Sequence, residues 1–386
     1  MAYNAQVSAI RILSRNLSVK DEAAAVIHKY QQNHIYSCSW GPADNGQAMD
    51  GPSEKVLKSF IDGIENGRDG KGSIYVFAAG NGKSMDNCNF DGYANGVFST
   101  TIGAIDHTNA MPAYMEPCSA QLAVTYSSGI DKKIVTTDLG SDSFTMKHGG
   151  TSAASALSAG IFALVLEARP DLTWRDLQHL VVKSAKPIAL LDLSWQTNGA
   201  GLTFSQRFGF GKIDADKLVS MAREWKLIGP PTVVSLPFRT LNEDILGGSA
   251  VGIADTVIVD YHLKTMLRIE NPVARLEHVT VTVDIEHPCR GNLQVFLRSP
   301  SGMVAQLATR RPLDTNPQGL RGWTFMTVAF WGESMEGPWT LNVVDKVSQP
   351  GQSGRLLQWR ISFWGEALVP EKCSKDAYSL AFLKNY

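Results

Sequence analysis

The chain has 386 residues, of which 44% are hydrophobic and 19% charged, and its formal net charge is −1. A chain of this length and composition forms two or three globular domains with buried cores. The balanced charge gives no reason to expect nucleic acid or an anionic membrane as a partner, and no apolar run reaches the roughly 18 residues that span a bilayer. The first residues, MAYNAQVSAIRILSR, lack the basic start and continuous apolar stretch of a signal peptide.

Residues 1–225 alternate between strand and helix patterns, as in an α/β fold. In chain order we predict a strand at 7–13, a helix at 21–32, a strand at 35–40, a helix at 53–65, strands at 73–79, 97–104, 122–127 and 133–137, and helices at 152–167 and 173–185. The strand at 73–79 is continuously apolar, which is typical of strands buried on both faces of a parallel sheet. The pattern therefore predicts a parallel sheet with helices on both faces.

The composition changes after residue 225. Glycine and proline residues at 229–231 and 237 mark the segment 226–250 as a predicted linker. Short alternating runs separated by Gly, Pro and Asn turns then follow at 278–285, 293–298, 339–344 and 357–363. This pattern predicts an all-β jelly-roll domain at 251–368. We expect the remaining residues, 369–386, to be a weakly ordered tail.

Ser152 is the first candidate catalytic residue. It lies in His148-Gly149-Gly150-Thr151-Ser152-Ala153-Ala154, directly before a run of small and apolar residues. A Ser in the first turn of a buried helix can expose its hydroxyl while the first-turn N–H groups face developing negative charge. The alternative is that Ser152 only caps the helix, as Ser often does.

Asn81 is the second candidate, because it follows a predicted buried strand in Ala79-Gly80-Asn81-Gly82. A side-chain amide at the end of a strand can donate a hydrogen bond to an oxyanion. The alternative is an ordinary turn, since Asn-Gly is a favoured turn pair.

A third group of candidates is acidic. Carboxylates concentrate in the predicted loops at Glu22, Asp44, Asp50, Asp86, Asp91 and Glu116. Loop carboxylates can hold Ca²⁺, which prefers oxygen ligands, or can pair with Arg and Lys of a substrate. A solvated acidic surface is the third reading, and the residues alone do not choose among the three.

Several segments together resemble the subtilisin-like, kexin-type proprotein convertases, and among these the type-seven group most. They are IYSCSWGPADNGQAMDGP, DNCNFDGYANG, VTYSSG, IVTTDL, HGGTSAA and LTWRDLQHLVV. The later segments HPCRGNLQVFLRSPSGM and GWTFMTVAFWGE resemble the P domain that follows the protease domain in that family. The resemblance extends over nearly the whole chain. It implies a partial subtilisin-like sheet at 1–225 followed by a P domain at 251–368.

The resemblance implies a role for each candidate. Ser152 would be the nucleophile and Asn81 the oxyanion donor. Asp44 and Asp91 would bind the arginine before the cleaved bond. Further substrate contacts would come from Glu22, Ser39, Trp40, Gly41, Pro42, Asp50 and Tyr93.

The same resemblance implies a cofactor and a compartment. Asp44, Asp86 and Glu116 would ligate Ca²⁺, and Cys88 would form a disulfide with Cys118. The five Cys by themselves indicate no such pairing. The expected partners are precursor proteins with basic cleavage motifs and the protein's own prodomain, and the expected location is the secretory pathway, from the Golgi to the cell surface.

One part of the family pattern is missing from these residues. Subtilisin-like enzymes order their catalytic residues as Asp, His and Ser, and none of the eight His here lies in the setting of the catalytic one. A Ser without a base is a weak nucleophile. We therefore expect the chain as written to be inactive. It would be part of a calcium-dependent endopeptidase that cleaves after paired basic residues, or a catalytically dead form that binds through its acidic cleft and P domain, or a fragment without function.

Overall fold

The computed structural model describes residues 2–13, 17–347, 352–370, 377–379 and 381. Its helices are α1 (Val19–Val26), α2 (Glu54–Gly70), α3 (Gly150–Ala168), α4 (Trp174–Ser184), α5 (Ala215–Arg223) and α6 (Tyr261–Met266). The strands of the first region are β1 (Ile35–Cys38), β2 (Ile74–Ala78), β3 (Ser99–Ile105), β4 (Ala123–Tyr126), β5 (Ile134–Thr137), β6 (Phe144–His148), β7 (Gln196–Thr197) and β8 (Thr203–Phe204). The strands of the second region are β9 (Pro231–Ser235), β10 (Arg239–Ile245), β11 (Ile253–Val259), β12 (Val273–Glu286), β13 (Leu293–Arg298), β14 (Val304–Ala308), β15 (Leu320–Thr327), β16 (Gly337–Asp345) and β17 (Gly354–Ala367).

The first region is built on a four-stranded parallel sheet in the order β1-β2-β3-β4. All seven residues of β3 and the first four of β2 are buried, because helices and loops cover both faces of the sheet. The predicted α/β class and parallel sheet are confirmed. Candidate residues follow the carboxyl ends of β1 and β2, which lie side by side at one edge of the sheet.

Helix α3 packs against all four of these strands. It is the one helix within the described residues whose length and mean hydropathy, 1.5, would suit a membrane crossing. About half of it is buried inside the protein, and its Phe162 and Val165 are completely enclosed. These contacts are those of a core helix.

Three local predictions for the first region need correction. Residues 7–13 form no strand: Val7 is 93% and Leu13 is 69% exposed. An alternating pattern makes a strand only where a partner edge pairs with it. The predicted helix at 21–32 ends at Val26, since the backbone leaves helical geometry at Ile27 and Lys29 has a positive φ of 47°. The predicted strand at 133–137 exists as β5, but it forms an antiparallel hairpin with β6 outside the parallel sheet.

The second region consists of two mostly antiparallel sheets, as predicted. One has the order β10-β17-β12-β15, with β9 also paired to β17, and the other has the order β11-β16-β13-β14. Large aromatic side chains, including Trp339 and Trp359, fill the space between them. The predicted linker at 226–250 is corrected in one respect, because it contains β9 and β10, whose backbones pair with β17.

Most of the predicted tail, 369–386, lies outside the described residues. Tyr378 is an exception within it, since its ring is buried between Trp174 of the first region and Trp364 of the second, at 5.6 and 5.7 Å. This part of the segment is therefore packed rather than loose.

A buried polar network joins α4 to β12. The Arg175 guanidinium donates to both carboxylate oxygens of Glu277, His179 Nε2 lies 2.9 Å from Glu277 Oε1, and Trp331 Nε1 donates to His179 Nδ1. Because Trp331 can only donate, His179 must accept at Nδ1 and carry its proton on Nε2. The two regions are thus joined by a charged pair that water does not reach.

We expect the protein to lose stability in mild acid because of His278, the residue next to Glu277. Its ring is buried, neither ring nitrogen has a hydrogen-bond partner among the residues that the structure describes, and burial lowers its pKa from 6.5 to about 4. Glu277 opposes this shift, whereas Arg175 and His179 add to it. Between pH 6.5 and 4, His278 is therefore protonated in the unfolded chain but not in the folded protein. Its contribution to the free energy of unfolding is complete above pH 6.5 and is lost as the pH falls. The expected loss is about 2 kcal/mol at pH 5.

Replacing His278 by Phe should remove this part of the pH dependence. Thermal unfolding of the chain and of His278→Phe, measured from pH 7.5 to 5, should show a shallower decline for the variant. His262→Phe, which changes an exposed histidine of the same region, serves as the control. Equal declines in His278→Phe and the parent chain would contradict the assignment.

Candidate active site and acidic cleft

Asn81 contacts the start of α3 at Thr151, the residue before Ser152. Ser152 lies half-buried in the first turn of that helix. Asn81 Oδ1 accepts hydrogen bonds from the backbone N and the hydroxyl of Thr151, at 2.9 and 3.1 Å. With its oxygen so engaged, the amide donates through Nδ2, and one of its two N–H groups reaches Asp44 Oδ2 at 3.4 Å. The structure thus brings together the two candidates that the sequence separates.

Two glycines make this approach possible. Gly80 has a φ of 103°, and a Cβ there would lie 2.4 Å from Glu116 Oε1. Gly150 has a φ of 77°, and a Cβ there would lie 3.0 Å from Asn81 Oδ1. Both positions combine a left-handed backbone with a close neighbour, which only glycine tolerates without strain.

The three predicted calcium ligands surround the Gly80-Asn81-Gly82 turn. Asp44 Oδ2 accepts from the Asn81 backbone N at 2.9 Å, and Glu116 Oε1 accepts from Gly82 N at 2.7 Å. Asp86 Oδ2 accepts from Gly46 N at 2.7 Å. The three carboxylates therefore approach this turn from three different loops.

The pKa values of the buried carboxylates show that their charged forms are disfavoured at this site. Burial, with the charges of Asp86 and Asp44, raises the pKa of Glu116 well above its usual value. Burial raises the pKa of Asp91 to about 7, with Asp44 and Asp86 adding to the shift and two backbone N–H groups opposing it. The pKa of Asp86 is also raised by burial, although Arg311 counteracts this. A cation placed among these groups would relieve the repulsion.

The described residues nevertheless contain no group of three or more His, Cys, Asp and Glu side chains arranged to hold a metal ion. Asp86 illustrates the reason, because both of its oxygens are already bound. Asn87 N donates to Oδ1 at 2.8 Å and Gly46 N to Oδ2 at 2.7 Å. The predicted ligands are thus neighbouring carboxylates, but they do not form a complete metal coordination site.

The other predicted substrate contacts lie beside this cluster. Tyr93 donates its hydroxyl proton to Glu22 Oε1 at 2.5 Å, and Asp50 pairs with Asp91 through a backbone bridge. Gly41 approaches Asp91 so closely that a Cβ at Gly41 would lie 2.6 Å from the carboxylate. Tyr93, whose backbone N also donates to Asp91, and the backbone bridge therefore bring the carboxylates of Glu22, Asp50 and Asp91 close together.

The predicted substrate-pairing segment, Ser39-Trp40-Gly41-Pro42, follows β1 and adjoins both candidates. Ser39 Oγ lies 3.3 Å from the carbonyl oxygen of Ser152 and 3.2 Å from Ser155 Oγ. The Trp40 ring packs edge-on against Tyr93 at 4.8 Å. Within the described residues, side-chain hydrogen bonds reach Ser152 only at its carbonyl, from Ser39 and Ser155, and none joins its Oγ to a histidine.

The structure contains the disulfide between Cys88 and Cys118, with the Cα atoms 5.5 Å apart. It ties the loop carrying Asp86 and Asp91 to the segment carrying Glu116. Cys38 and Cys289 are free thiols, and Cys373 lies outside the described residues.

Sequence reasoning missed Arg311, which lies in the second region yet contacts the acidic loops of the first. Its Nε is 3.0 Å from Asp86 Oδ1, and its guanidinium stacks 4.1 Å from the centre of the Phe90 ring. The Nε–H is not directed at the carboxylate, so the contact is an ion pair without a hydrogen bond. The local sequence Thr309-Arg310-Arg311-Pro312 contains no signal that separates this buried arginine from its exposed neighbour Arg310.

Comparison with solved structures defines the class of protein. The serine protease of Aeromonas sobria superimposes with a TM-score of 0.78 over 92% of this chain and 75% of its own, at 20% sequence identity. The same protease in complex with its chaperone gives a TM-score of 0.79. The two proteins therefore share a fold, a parallel sheet with helices followed by antiparallel sheets.

Comparison of sequences identifies the family. The Subtilase family profile matches residues 1–211, and the profile of the proprotein convertase P-domain matches residues 276–363. The chain belongs to the subtilase family, whose members are serine endopeptidases, and it carries a proprotein convertase P domain.

Individual relatives agree with this assignment. Protease KEX1 of Kluyveromyces lactis is 46% identical over 98% of this chain and 49% of its own. Kexin of Saccharomyces cerevisiae is 43% identical over 96% and 45%, and proprotein convertase subtilisin/kexin type 7 of Mus musculus is 40% identical over 98% and 49%. The chain spans about half the length of these curated relatives. The type-seven protein resembles it less than the two yeast proteases do.

Proposed function

We propose that Ser152 is the nucleophile and Asn81 the oxyanion donor of a serine endopeptidase that cleaves after paired basic residues. The observation that carries the proposal is the contact of Asn81 Oδ1 with Thr151, at 2.9 and 3.1 Å. The amide Nδ2 donates one N–H to Asp44 Oδ2 at 3.4 Å, and its second N–H would donate to the carbonyl oxygen of a bound peptide, where negative charge develops. Such a donor contributes a factor of about 10² to 10³ in kcat.

The chemistry of the cleft supports basic specificity. A guanidinium is permanently charged and carries donors in a rigid fork, so it suits paired carboxylates. Asp44 and Asp91 would receive the first arginine, and the raised pKa of Asp91, due mainly to burial, shows that its charge needs a partner. Glu22, Asp50 and Tyr93 would receive further basic residues, and Ser39-Trp40-Gly41-Pro42 would pair with the extended substrate backbone.

The base that activates Ser152 would come from outside residues 1–386 in this proposal. Ser152 Oγ would attack the carbonyl carbon of the peptide and pass its proton to that base, while Asn81 and the first-turn N–H groups hold the oxyanion. Within the described residues, no histidine is hydrogen-bonded to Ser152, which agrees with a base supplied by another segment. Accordingly, we expect the 386-residue chain alone to show no hydrolysis of a basic peptide above background.

We further propose that Asp44, Asp86 and Glu116 hold Ca²⁺. Carboxylate oxygens from separate loops are ligands that Ca²⁺ prefers. Burial raises the pKa of Asp86 and of Glu116, so a nearby cation would favour their charged forms. When bound, the ion would supply positive charge that neutralises the cluster and fixes the turn at 80–82. The residues of the turn would then hold the Asn81 side chain in place.

Calcium should therefore stabilise the chain even without activity. At a Ca²⁺ concentration about 100 times its Kd, the expected gain in unfolding free energy is about 2.7 kcal/mol. Thermal unfolding with and without Ca²⁺ measures this gain for the chain, for Glu116→Gln and for Glu54→Gln, whose carboxylate is fully exposed. The gain should disappear in Glu116→Gln alone. A gain of equal size in all three proteins would contradict the assigned ligands.

The partners and location follow from the family and remain part of the proposal. Precursor proteins with basic motifs would be substrates, and the prodomain of the longer protein would occupy the cleft before activation. A disulfide at Cys88 and Cys118 is consistent with the oxidising secretory pathway, from the Golgi to the cell surface.

A second function, binding without catalysis, is favoured by the combination of neighbouring carboxylates around 80–82 and Tyr93 with no histidine bonded to Ser152 in the described residues. One experiment separates the two. Acetyl-Arg-Arg-amide binding is measured by calorimetry with the 386-residue chain, and hydrolysis of an Arg-Arg peptide is measured with the longer natural protein. Binding together with hydrolysis supports the endopeptidase, binding without hydrolysis supports the binding form, and no binding contradicts both.

A further inference from the structure

Arg311 is the most deeply buried arginine of the described residues, with none of its surface exposed. It lies between β14 and β15 in the second region, but its guanidinium enters the first region. There it meets Asp86 at 3.0 Å, stacks on Phe90, and donates to the backbone carbonyl of Ala48, which is 263 residues away in sequence. A single side chain thus contacts both acidic loops of the cleft.

The two loops touched by Arg311 carry the residues proposed to bind basic substrates. The loop at 41–52 contains Asp44 and Asp50, and the loop at 86–95 contains Asp86, Asp91 and Tyr93. Neither loop contains regular strand or α-helix within the described residues. The loops bond to each other through Gly46 N and Asp86 Oδ2 and through the Asp50–Asp91 bridge. Their carboxylates repel one another, so contacts from the second region add to the forces that hold the loops together.

The second region supplies these contacts at several further points. Arg290 donates to the carbonyl of Gln47 at 2.7 Å, and Thr309 Oγ1 accepts from Asn87 Nδ2 at 3.2 Å. Trp323 Nε1 donates to the carbonyl of Asn89 at 2.9 Å. These hydrogen bonds surround Arg311, which alone among them brings a positive charge to a carboxylate of the cleft.

Asp314 holds Arg311 in this position. Its Oδ2 accepts from Arg311 at 2.9 Å and from Arg290 at 2.6 Å, and both partners are almost completely buried. The guanidinium is therefore clamped within the second region before it reaches Asp86. Such a preset side chain can fix its partner loops at little further entropic cost.

We propose that Arg311 is a positioning residue for the acidic cleft, through which the second region holds the two acidic loops in the geometry that receives a basic substrate. The proposal rests on the proposed function for its substrate class, but the positioning itself is a property of the loops. Arg311 would not touch the substrate. It would act through Asp86 and the Ala48 carbonyl.

Hydrogen exchange of backbone amides in the full chain tests the positioning directly. In Arg311→Met, exchange should accelerate at least tenfold in 41–52 and 86–95, while the amides of β12 and β17 keep their protection. Arg311→Lys retains a charge but cannot bridge two partners. Its exchange rates in both loops should lie between those of Arg311→Met and those of the parent chain. Arg321→Met, which removes an exposed arginine paired with Asp284 and Glu286, is the matched control and should leave both loops unchanged.

A milder variant keeps the test decisive if Arg311→Met fails to fold. Thr309→Val removes one hydrogen bond to Asn87 and should accelerate exchange in 86–95 only. Unchanged exchange of both acidic loops in Arg311→Met, or in Thr309→Val when the former is unfolded, overturns the proposal.

Peptide binding separates this proposal from the proposed function. In the parent chain, binding of acetyl-Arg-Arg-amide tests the acidic cleft itself. In Arg311→Met, the Kd should rise at least tenfold, with partial recovery in Arg311→Lys. If the parent binds no peptide while the loops still loosen in Arg311→Met, the substrate class is wrong and the positioning stands; an unchanged Kd with unchanged exchange refutes the positioning.

Discussion

Replacing Ser152 by alanine should lower kcat by a factor of about 10⁴ to 10⁶ in the longer natural protein, since the nucleophile of a catalytic triad contributes that much. The substitution removes one oxygen from a half-buried first-turn position of α3, between Thr151 and Ala153, and leaves the packing of that helix intact. Hydrolysis of an Arg-Arg peptide and thermal unfolding should be measured together. The expected result is a lost rate with an unchanged melting temperature.

Ser155 provides the matched control for this measurement. Its hydroxyl is buried one turn further along α3 and bonds to the Ser152 carbonyl at 3.0 Å. Ser155→Ala should cost stability but retain most of the activity. If Ser152→Ala kept more than a hundredth of the parent kcat, Ser152 would not be the nucleophile.

Replacing Glu277 by glutamine should destabilise the chain by about 3 to 5 kcal/mol, which is the cost of leaving a buried charge without its partner. The Glu277 carboxylate is completely buried and binds Arg175 and His179 across the boundary between the regions. Burial by itself would raise the pKa of Glu277, but the charge of Arg175 and the hydrogen bond from His179 outweigh it and hold the pKa well below the usual value. Glutamine keeps the size of the side chain and removes the charge.

The sign of the pH effect follows from that lowered pKa. A depressed carboxyl pKa contributes stability that is complete above the unfolded value near 4.5 and is lost as the pH falls towards the folded value. Glu277→Gln should therefore have a lower free energy of unfolding at pH 7, and that free energy should fall less between pH 7 and pH 4 than it does in the parent chain. Urea unfolding at pH 7 and pH 4 measures both effects from the transition midpoints.

Two variants control for the size of the effect. Glu286→Gln breaks an ion pair with Arg321 in which both side chains are about half exposed, and should cost less than about 1 kcal/mol. Arg175→Met combined with Glu277→Met removes both charges and should recover part of the lost stability. A loss for Glu277→Gln no larger than that for Glu286→Gln would show that the buried pair does not hold the regions together.

Local sequence determined the elements that depend on local physics. The apolar run at 73–79 became the buried strand β2, and the predicted helix at 173–185 became α4, opened by a capping box between Thr173 and Asp176. Short-range hydrogen bonds and burial of both strand faces are sufficient causes in these cases. By contrast, the mostly apolar residues at 7–13 have no paired strand beside them and formed no strand.

The candidate site residues were named from the sequence because their segments resemble the convertase family, whereas the residues alone left a helix cap for Ser152, a turn for Asn81 and a solvated surface for the carboxylates as alternatives. Tertiary structure alone decided that Asn81 is held by Thr151, that three carboxylates meet around the turn at 80–82, and that Arg311 joins their loops. Pairings of β9 and β10 with β17 were likewise decided by distant residues. The physical reason is the same in each case, because such contacts form between residues that are far apart in the sequence. Neither the charge of an arginine nor the spacing of prolines indicates which distant residue will become its neighbour.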